Sequence, residues 1–163
     1  AAICIQMGVP VQIIADTIRN FKAVEHRIEY VRTLDGVEYY NDSKGTNPDS
    51  TIKAIEAMPK KTILIAGGYD KHSEFDEMIK VFGDTIIELV LLGVTKDKIA
   101  AAARAQGFDN IKFVETLKEA VEVSRADAKE GQIVLLSPAC ASWDMFKSYE
   151  ERGKLFKQYV NEL

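Results

Sequence analysis

Hydrophobic and polar positions divide this chain into a short helical start and a longer part in which strand-like and helix-like runs alternate. In the first part, Ile14, Ile18 and Phe21 recur at helical spacing behind Pro10, a residue that is favourable in the first turn of a helix. No neighbouring run would cover this apolar stripe. We therefore expect residues 1–24 to be the tail of a preceding domain, whose stripe could also pack against a second copy of the chain.

The second part begins with two β-rich runs and continues as an alternation of strands and helices. The runs 28–33 and 37–41 are separated by Asp35-Gly36, which predicts a β-hairpin. We predict further strands at residues 62–66, 88–92, 112–115 and 133–136, and helices at residues 48–58, 74–82, 96–105, 117–129 and 143–160. The runs 62–66 and 133–136 are continuously apolar, as is typical of central parallel strands. The predicted fold class is α/β: a Rossmann-like, mostly parallel sheet flanked by helices, with an N-terminal hairpin and a leftover helix of a preceding domain.

Composition and charge narrow the class of protein. A chain of 163 residues with 47% hydrophobic and 28% charged residues is long enough for one ordinary globular domain, which we place at residues 25–163. The net charge of −4 and the lack of a basic stripe argue against a nucleic-acid surface. No apolar run approaches the roughly 18 to 20 residues of a membrane span, and no signal peptide is recognisable. We expect a cytoplasmic protein that binds neither nucleic acid nor membrane.

Polar loops follow several of the predicted strands. Four strands end near Asn41, Ala66, Leu92 and Leu136. The carboxyl ends of parallel strands meet at one edge of a sheet, so the loops that follow should share a rim where ligands bind. Residues 42–46 supply an acid, a base and hydroxyls, and residues 67–71 supply two glycines and a lysine. Residues 137–142 end in Ser142, which we expect to be the N-cap of the final helix, whose positive end would favour a carboxylate or a phosphate.

Each of these loops also has a purely structural interpretation. Asp42 and Ser43 could form a turn and cap the following helix, and Lys44 could be a solvated surface charge. Gly67-Gly68 could be an ordinary turn at a strand end, with Lys71 exposed. Taken singly, the loops do not decide between structure and binding.

Cysteine and histidine offer weaker signals. Cys140 could act as a nucleophile only with a histidine as its base, and no sequence feature brings His26 or His72 to it. We instead expect a small, half-buried group near a helix start, where the pKa of the thiol would fall. Cys140 and Cys4 have no metal or redox spacing and are interpreted as reduced thiols. The pair His26-Arg27 lies where the first helical pattern ends. These two residues could cap the end of that helix, or they could form a hinge that contacts phosphate.

Four motifs, taken together, resemble those of the Mur ligases. They are His26-Arg27-Ile28-Glu29, Asn41-Asp42-Ser43-Lys44-Gly45-Thr46-Asn47, Gly67-Gly68-Tyr69-Asp70-Lys71 and Ser137-Pro138-Ala139-Cys140-Ala141-Ser142-Trp143-Asp144-Met145-Phe146. They occur in order across almost the whole chain, and their forms are most similar to the branch of the family that adds D-glutamate. The resemblance implies an ATP-dependent amide-bond-forming ligase that adds D-glutamate to UDP-N-acetylmuramoyl-L-alanine in peptidoglycan synthesis. In that chemistry, the alanyl carboxylate is phosphorylated by ATP, and the amine of D-glutamate then displaces the phosphate.

The resemblance implies roles for eight residues. It assigns ATP or ADP to His26, Arg27, Asp42 and Lys44, with the carboxylate near the ribose and the cations near phosphate. It assigns D-glutamate to Thr46, Lys71, Ser142 and Tyr149. The chain departs from the family pattern at Tyr149, where phenylalanine is frequent, and at Tyr69-Asp70-Lys71, where Asp-Gly-Lys is commoner.

The resemblance also implies a division of labour among three domains. This chain resembles the end of the central domain followed by the whole C-terminal domain, with residues 24–27 as the hinge about which it closes. No phosphate-binding loop of the form G-x-x-x-x-G-K-[ST] occurs, so ATP and Mg²⁺ are expected to be bound mainly by the central domain, and we expect no ligation by this chain alone. The intact enzyme is implied to be a monomer. Two alternatives stay open: a non-catalytic Rossmann-like nucleotide-binding module, and a sister Mur ligase that adds another amino acid.

Overall fold

The computed structural model describes residues 1–20 and 24–163. Its helices are α1 (Ala2–Gln6), α2 (Val11–Asn20), α3 (Pro48–Glu56), α4 (Asp76–Lys80), α5 (Lys96–Ala105), α6 (Leu117–Asp127) and α7 (Tyr149–Glu162). Its strands are β1 (Glu29–Leu34), β2 (Val37–Asn41), β3 (Thr62–Ala66), β4 (Ile86–Leu91), β5 (Ile111–Phe113) and β6 (Ile133–Leu136). From β1 onward the order of elements is the predicted one.

The strands form one sheet in the order β1-β2-β6-β3-β4-β5. Strands β2, β6, β3, β4 and β5 run parallel to one another, and β1 pairs antiparallel with β2 through the predicted hairpin. The most apolar strands, β3 and β6, are adjacent at the centre, and every residue of both is buried. The predicted α/β class with a mostly parallel sheet is confirmed.

Helices cover both faces of the sheet, because alternate residues of the central strands point to opposite sides. One face packs against α3, α4 and α5 through Ala54, Ile55, Met78, Ile79, Ile99, Ala100 and Ala103. The other face packs against α6 and α7 through Leu117, Ala120, Val121, Phe156 and Val160. With both faces covered, the loops at the carboxyl ends of the strands form one exposed edge of the sheet.

The first two helices differ from the rest of the chain in their packing. No residue of α1 or α2 is buried, and Ile18 on the predicted stripe is 62% exposed. Phe21, the third member of that stripe, lies outside the described residues. Packing of the stripe against a second copy therefore stays a prediction. Within the two described ranges, no helix is long and apolar enough to cross a membrane.

The final helix begins six residues later than we predicted, at Tyr149 instead of residue 143. Its N-cap is Ser148, whose hydroxyl accepts a hydrogen bond from the Glu151 N–H, while the Glu151 carboxylate accepts one from the Lys147 N–H at 2.6 Å. This Ser-x-x-Glu arrangement closely matches a capping box. The prediction that Ser142 caps this helix is therefore wrong: the Ser142 carbonyl instead accepts from Met145 N–H in a separate turn.

Candidate functional site

The polar loops predicted to share a rim are joined to one another by backbone hydrogen bonds. The N–H of Asp42, after β2, donates to Leu136 O at 2.7 Å, and the N–H of Gly67, after β3, donates to Pro138 O at 2.8 Å. Beyond the strand ends, the Tyr69 N–H donates to Ala141 O at 2.9 Å. The loops after β2, β3 and β6 therefore form one continuous wall at the carboxyl edge of the sheet.

The glycine pair in this wall serves close packing between loops. Gly68 has φ 145°, and a Cβ there would overlap the Ala141 carbonyl oxygen and lie 3.1 Å from the Cys140 Cβ. Only glycine satisfies both the backbone conformation and the contact. The sequence indicated that this pair permits a close approach, and the structure shows that the neighbour is another loop of the protein.

The buried side chain of Arg152 connects two of these loops by hydrogen bonds, and we did not predict this role from the sequence. The side chain is 2% exposed; its Nε donates to the Ser43 hydroxyl at 3.0 Å, and its Nη2 donates to Ser43 O at 2.9 Å and to Cys140 O at 3.2 Å. Burial lowers the pKa of this guanidinium to about 10. A signal was available, since Arg152 precedes Phe156 by one helical turn and shares the buried face of α7.

One cavity at the rim contains three of the four residues assigned to the nucleotide. This cavity, here called the Arg27 pocket, is lined by Arg27, Ile28, Asp42, Lys44, Gly45, Asp49, Ser50 and Lys53 and has a volume of about 330 Å³. Arg27 is exposed and Lys44 half-buried. These cations make the pocket chemically suited to an anion such as phosphate.

Asp42, the carboxylate of this pocket, is committed to hydrogen bonds within the protein. It is 4% exposed, its Oδ1 accepts from the Ile28 N–H at 3.2 Å, and its Oδ2 accepts from the Ser137 hydroxyl at 2.7 Å. Burial raises the pKa of this carboxyl, against the effect of those hydrogen bonds. Asp42 therefore joins the backbone at Ile28 to the loop after β6. The interpretation that Asp42 and Ser43 cap the following helix is wrong, because the N-cap of α3 is Asn47, whose side chain accepts from the Ser50 N–H.

His26 lies outside the Arg27 pocket. Its side chain is 3% exposed, the Asn41 Nδ2 donates to its Nδ1 at 2.9 Å, and its carbonyl accepts from the Lys44 N–H at 3.0 Å. Burial lowers the pKa of this imidazole. The His26 carbonyl therefore holds the Lys44 backbone, and the imidazole is buried against Asn41 and Gly153.

A second cavity contains all four residues assigned to D-glutamate. This Lys71 pocket is lined by Thr46, Lys71, Ala141, Ser142, Trp143, Ser148, Tyr149 and Glu150 and has a volume of about 260 Å³. Within the described part of the chain, the side chains of Thr46, Lys71 and Ser142 form no hydrogen bond with other residues. The pocket thus presents one ammonium and two hydroxyl groups that are available to a small anionic ligand.

The two pockets adjoin each other through a cation and a ring. Lys44 Nζ lies 5.6 Å from the centroid of the Tyr149 ring, within the range of a cation–π contact. Lys44 lines the Arg27 pocket and Tyr149 lines the Lys71 pocket. The loops at residues 42–46, 71 and 142 therefore converge on one edge of the sheet.

Cys140 does not have the environment that we expected. It is 2% exposed, its Sγ lies 3.2 Å from the Thr95 hydroxyl, and burial raises the pKa of the thiol to about 11. The expectation of a half-buried thiol with a lowered pKa is wrong, because the final helix begins further along the chain and the side chain faces the core. Cys140 and Cys4 are both free cysteines.

A metal centre requires several ligating side chains close together. Within residues 1–20 and 24–163, no group of three or more His, Cys, Asp or Glu side chains could hold a metal ion.

Known proteins resemble this chain over nearly its whole length. A relative from Lachnoclostridium phytofermentans named UDP-N-acetylmuramoylalanine--D-glutamate ligase is 57% identical over 161 residues, covering 99% of this chain and 36% of the relative. A protein of the same name from Clostridioides difficile is 52% identical over 162 residues, covering 99% of this chain and 36% of the relative. This chain thus spans about a third of the length of the curated relatives that it matches.

Solved structures show the same fold at low sequence identity. UDP-N-acetylmuramate-alanine ligase MurC from Thermotoga maritima superposes with a TM-score of 0.68 at 16% identity, covering 99% of this chain and 36% of that one. MurF ligase from the same organism, in complex with ADP, superposes with a TM-score of 0.63 at 16% identity, with the same coverage. The model of the family described as "Mur ligase, glutamate ligase domain" matches residues 26–140. With that match added to the fold and the convergent loops, the chain belongs to the Mur ligase, glutamate ligase domain family.

Proposed function

We propose that residues 25–163 act as the C-terminal domain of an ATP-dependent ligase that adds D-glutamate to UDP-N-acetylmuramoyl-L-alanine in peptidoglycan synthesis. In this proposal, residues 1–24 are the tail of the central domain. The observation that carries the proposal is the Lys71 pocket, which gathers Thr46, Lys71, Ser142 and Tyr149 beside the cationic Arg27 pocket. The names of the relatives at 57% and 52% identity support the same activity.

The Lys71 pocket would hold the amino acid. The Lys71 ammonium would meet a carboxylate, and the free hydroxyls of Thr46 and Ser142 would donate to carboxylate oxygens. Each charge-assisted hydrogen bond contributes about 1.5 to 3 kcal/mol. The Tyr149 ring would pack against the carbon chain, so the amino group would be presented at the rim.

The Arg27 pocket would hold part of the nucleotide. Arg27 and Lys44 would contact phosphate oxygens, and Asp42 would lie near the ribose. Bound ATP, with the Mg²⁺ that accompanies it, would supply the phosphoryl group that activates the alanyl carboxylate. This chain's own contribution is to place cations against the phosphates, with His26 fixing the backbone of Lys44.

Closure of this domain over the other two would complete the active site. Because an acyl phosphate hydrolyses in water, closing the rim against the central domain would protect the intermediate until the amine attacks. Residues 24–27 would be the hinge. We infer from this arrangement that the chain alone does not catalyse ligation, and that the whole enzyme works in the cytoplasm on UDP-N-acetylmuramoyl-L-alanine, D-glutamate and ATP.

Amino-acid titration of the isotopically labelled chain tests the proposal. D-Glutamate should shift the backbone amide signals of Lys71, Ser142 and Tyr149, whereas L-alanine, L-lysine and diaminopimelate should leave them in place. A response to one of those three amino acids instead would favour a sister ligase. If ADP shifted the signals around Arg27 and no amino acid shifted any, a nucleotide-binding module would be the better description.

A separate assay checks the activity of the chain by itself. We expect no phosphate release from ATP that depends on both D-glutamate and UDP-N-acetylmuramoyl-L-alanine when only this chain is present. Phosphate release under those conditions would show that the catalytic groups are complete here and would overturn the three-domain proposal.

A further inference from the structure

The Lys71 pocket contains a carboxylate to which the family resemblance assigns no role. Glu150 lines this pocket together with Lys71, and among the described residues it is the single acidic side chain that does so. A carboxylate is an unfavourable neighbour for a dicarboxylate ligand unless a positive group of the ligand faces it. Its position in an anion-binding pocket therefore calls for a cationic partner.

Glu150 is held at the start of α7 as an ionised group. Interactions with the Ser148 side chain, the backbone at the helix start and the Tyr149 side chain lower the pKa of this carboxyl. The N-terminal end of a helix favours negative charge as well. The capping function itself belongs to Ser148 and Glu151, so Glu150 is free to face a ligand without being needed to begin the helix.

The charge pattern of the pocket matches an acidic α-amino acid in its ionised form. Such a ligand carries two carboxylates and one ammonium group. Lys71 and the hydroxyls of Thr46 and Ser142 suit the carboxylates, and Glu150 suits the ammonium. We propose that Glu150 binds the ammonium group of the incoming amino acid, so that it orients the amine and discriminates against dicarboxylates that lack one.

This inference rests on the proposed function, and a pair of ligands separates the two. D-Glutamate and glutarate have the same carbon chain and the same two carboxylates, but glutarate has no amine. We expect the labelled chain to bind D-glutamate more tightly than glutarate, as followed by the amide signals of Lys71 and Ser142. The variant Glu150→Gln should weaken the binding of D-glutamate by about tenfold, in line with the loss of one charge-assisted hydrogen bond. The affinity for glutarate should be unchanged or higher.

Glutarate also serves as the check on folding, because unaltered glutarate binding reports an intact pocket. The matched control is Glu162→Gln, which removes the same charge at the other end of α7 and should change neither ligand. Equal weakening of both ligands by Glu150→Gln would mean that Glu150 only supports the helix start, and it would overturn the inference while leaving the proposed function standing. If neither ligand bound the unaltered chain, the amino-acid assignment of the pocket would fail, and the role of Glu150 would fail with it.

Discussion

The two rim pockets differ in whether their polar side chains already form hydrogen bonds within the protein. In the Arg27 pocket, the Asp42 carboxylate accepts two hydrogen bonds from the protein, and the neighbouring His26 ring is buried against Asn41. In the Lys71 pocket, the ammonium and the hydroxyls of Thr46 and Ser142 form no hydrogen bond within the described part of the chain. The first pocket is therefore a structural joint with cations at its edge, and the second is a set of available donors.

This difference shows how far a resemblance can assign roles. A motif places a residue at a position, but its side chain can bind a ligand only if it is not already used to hold the loops together. Asp42 and His26 belong to motifs assigned to the nucleotide, yet their present contacts fix the backbone at Ile28 and Lys44 and the loop after β6. We expect substitutions of Asp42 and His26 to act mainly on stability, and substitutions in the Lys71 pocket to act mainly on binding.

The largest expected effect is on Arg152, which joins the walls of both pockets. Arg152→Met would leave the Ser43 and Cys140 carbonyls without their donor in a buried environment. Since a lost hydrogen bond to a charged group costs about 1.5 to 3 kcal/mol and unpaired buried acceptors add to it, we expect a loss of about 3 kcal/mol in the free energy of unfolding. Urea denaturation of the chain measures it.

The control for Arg152 is an arginine whose ion pair is at the surface. Arg125 pairs with Asp35 while both remain partly exposed. Its replacement by methionine should cost about 1 kcal/mol or less, as is usual for surface ion pairs. If the two substitutions had equal effects, the wall would not depend on the buried guanidinium, and the two pockets would not share a joint.

The second effect separates binding from stability in the Lys71 pocket. Lys71→Met should weaken the binding of D-glutamate by roughly tenfold or more, corresponding to about 2 kcal/mol for a charge-assisted hydrogen bond. Stability should change little, because Lys71 is exposed and has no partner within the described residues. Titration and urea denaturation of the same sample measure both quantities.

Lys53→Met is the matched control, since it removes an exposed lysine from the Arg27 pocket. It should leave D-glutamate binding unchanged. A similar loss of D-glutamate with both lysine variants would indicate a general effect of positive charge instead of a contact in the Lys71 pocket.

The sequence was sufficient for the framework of the fold and for the gathering of the loops. Period-two and continuously apolar runs located β2, β3 and β6, and the rule that parallel strands end at one edge brought residues 42–46, 71 and 142 together. These features follow from local patterns. The burial of the His26 and Cys140 side chains could not be predicted from local patterns, because it depends on contacts with distant parts of the chain such as α7 and Thr95.

The start of α7 and the role of Arg152 illustrate a different limit. Ser142 and Ser148 are both acceptable N-caps by type, and the Glu three residues after Ser148 was the signal that decided between them. Arg152 was passed over because a charged residue on a core stripe is usually assigned to the surface. Its acceptors lie in the loop after β2 and in the loop between β6 and α7, so only the folded structure identifies them.

A third, smaller effect tests the packing of His26 against α7. Gly153 lies within α7, and a Cβ there would overlap the His26 ring. Alanine normally stabilises a helix interior by up to about 1 kcal/mol relative to glycine, but overpacking a buried contact costs about 1 to 3 kcal/mol. We expect Gly153→Ala to lower the free energy of unfolding by about 1 kcal/mol. In a His26→Ala background the same substitution should become stabilising. If Gly153→Ala lowered the free energy of unfolding in that background as well, steric overlap with His26 would not be the cause.

The smallest effect concerns pH and the buried imidazole of His26. Burial lowers the pKa of His26, although the carboxylates of Glu25, Glu29 and Glu150 raise it in part. The folded state therefore favours the neutral imidazole, so His26 contributes stability that is present above its unfolded pKa and is lost as the pH falls through its folded pKa. Between about pH 8 and about pH 5, the unaltered chain should lose more stability than His26→Asn, which cannot titrate but tolerates the left-handed backbone at φ 64°.

The matched control for this titration is His72, which also has a left-handed backbone, with φ 60°, but is exposed. The urea midpoint of His72→Asn should follow the pH curve of the unaltered chain. If His26→Asn followed that curve as well, the imidazole would not be desolvated in the folded state. The comparison between a structural joint and a set of available donors would then no longer hold at His26.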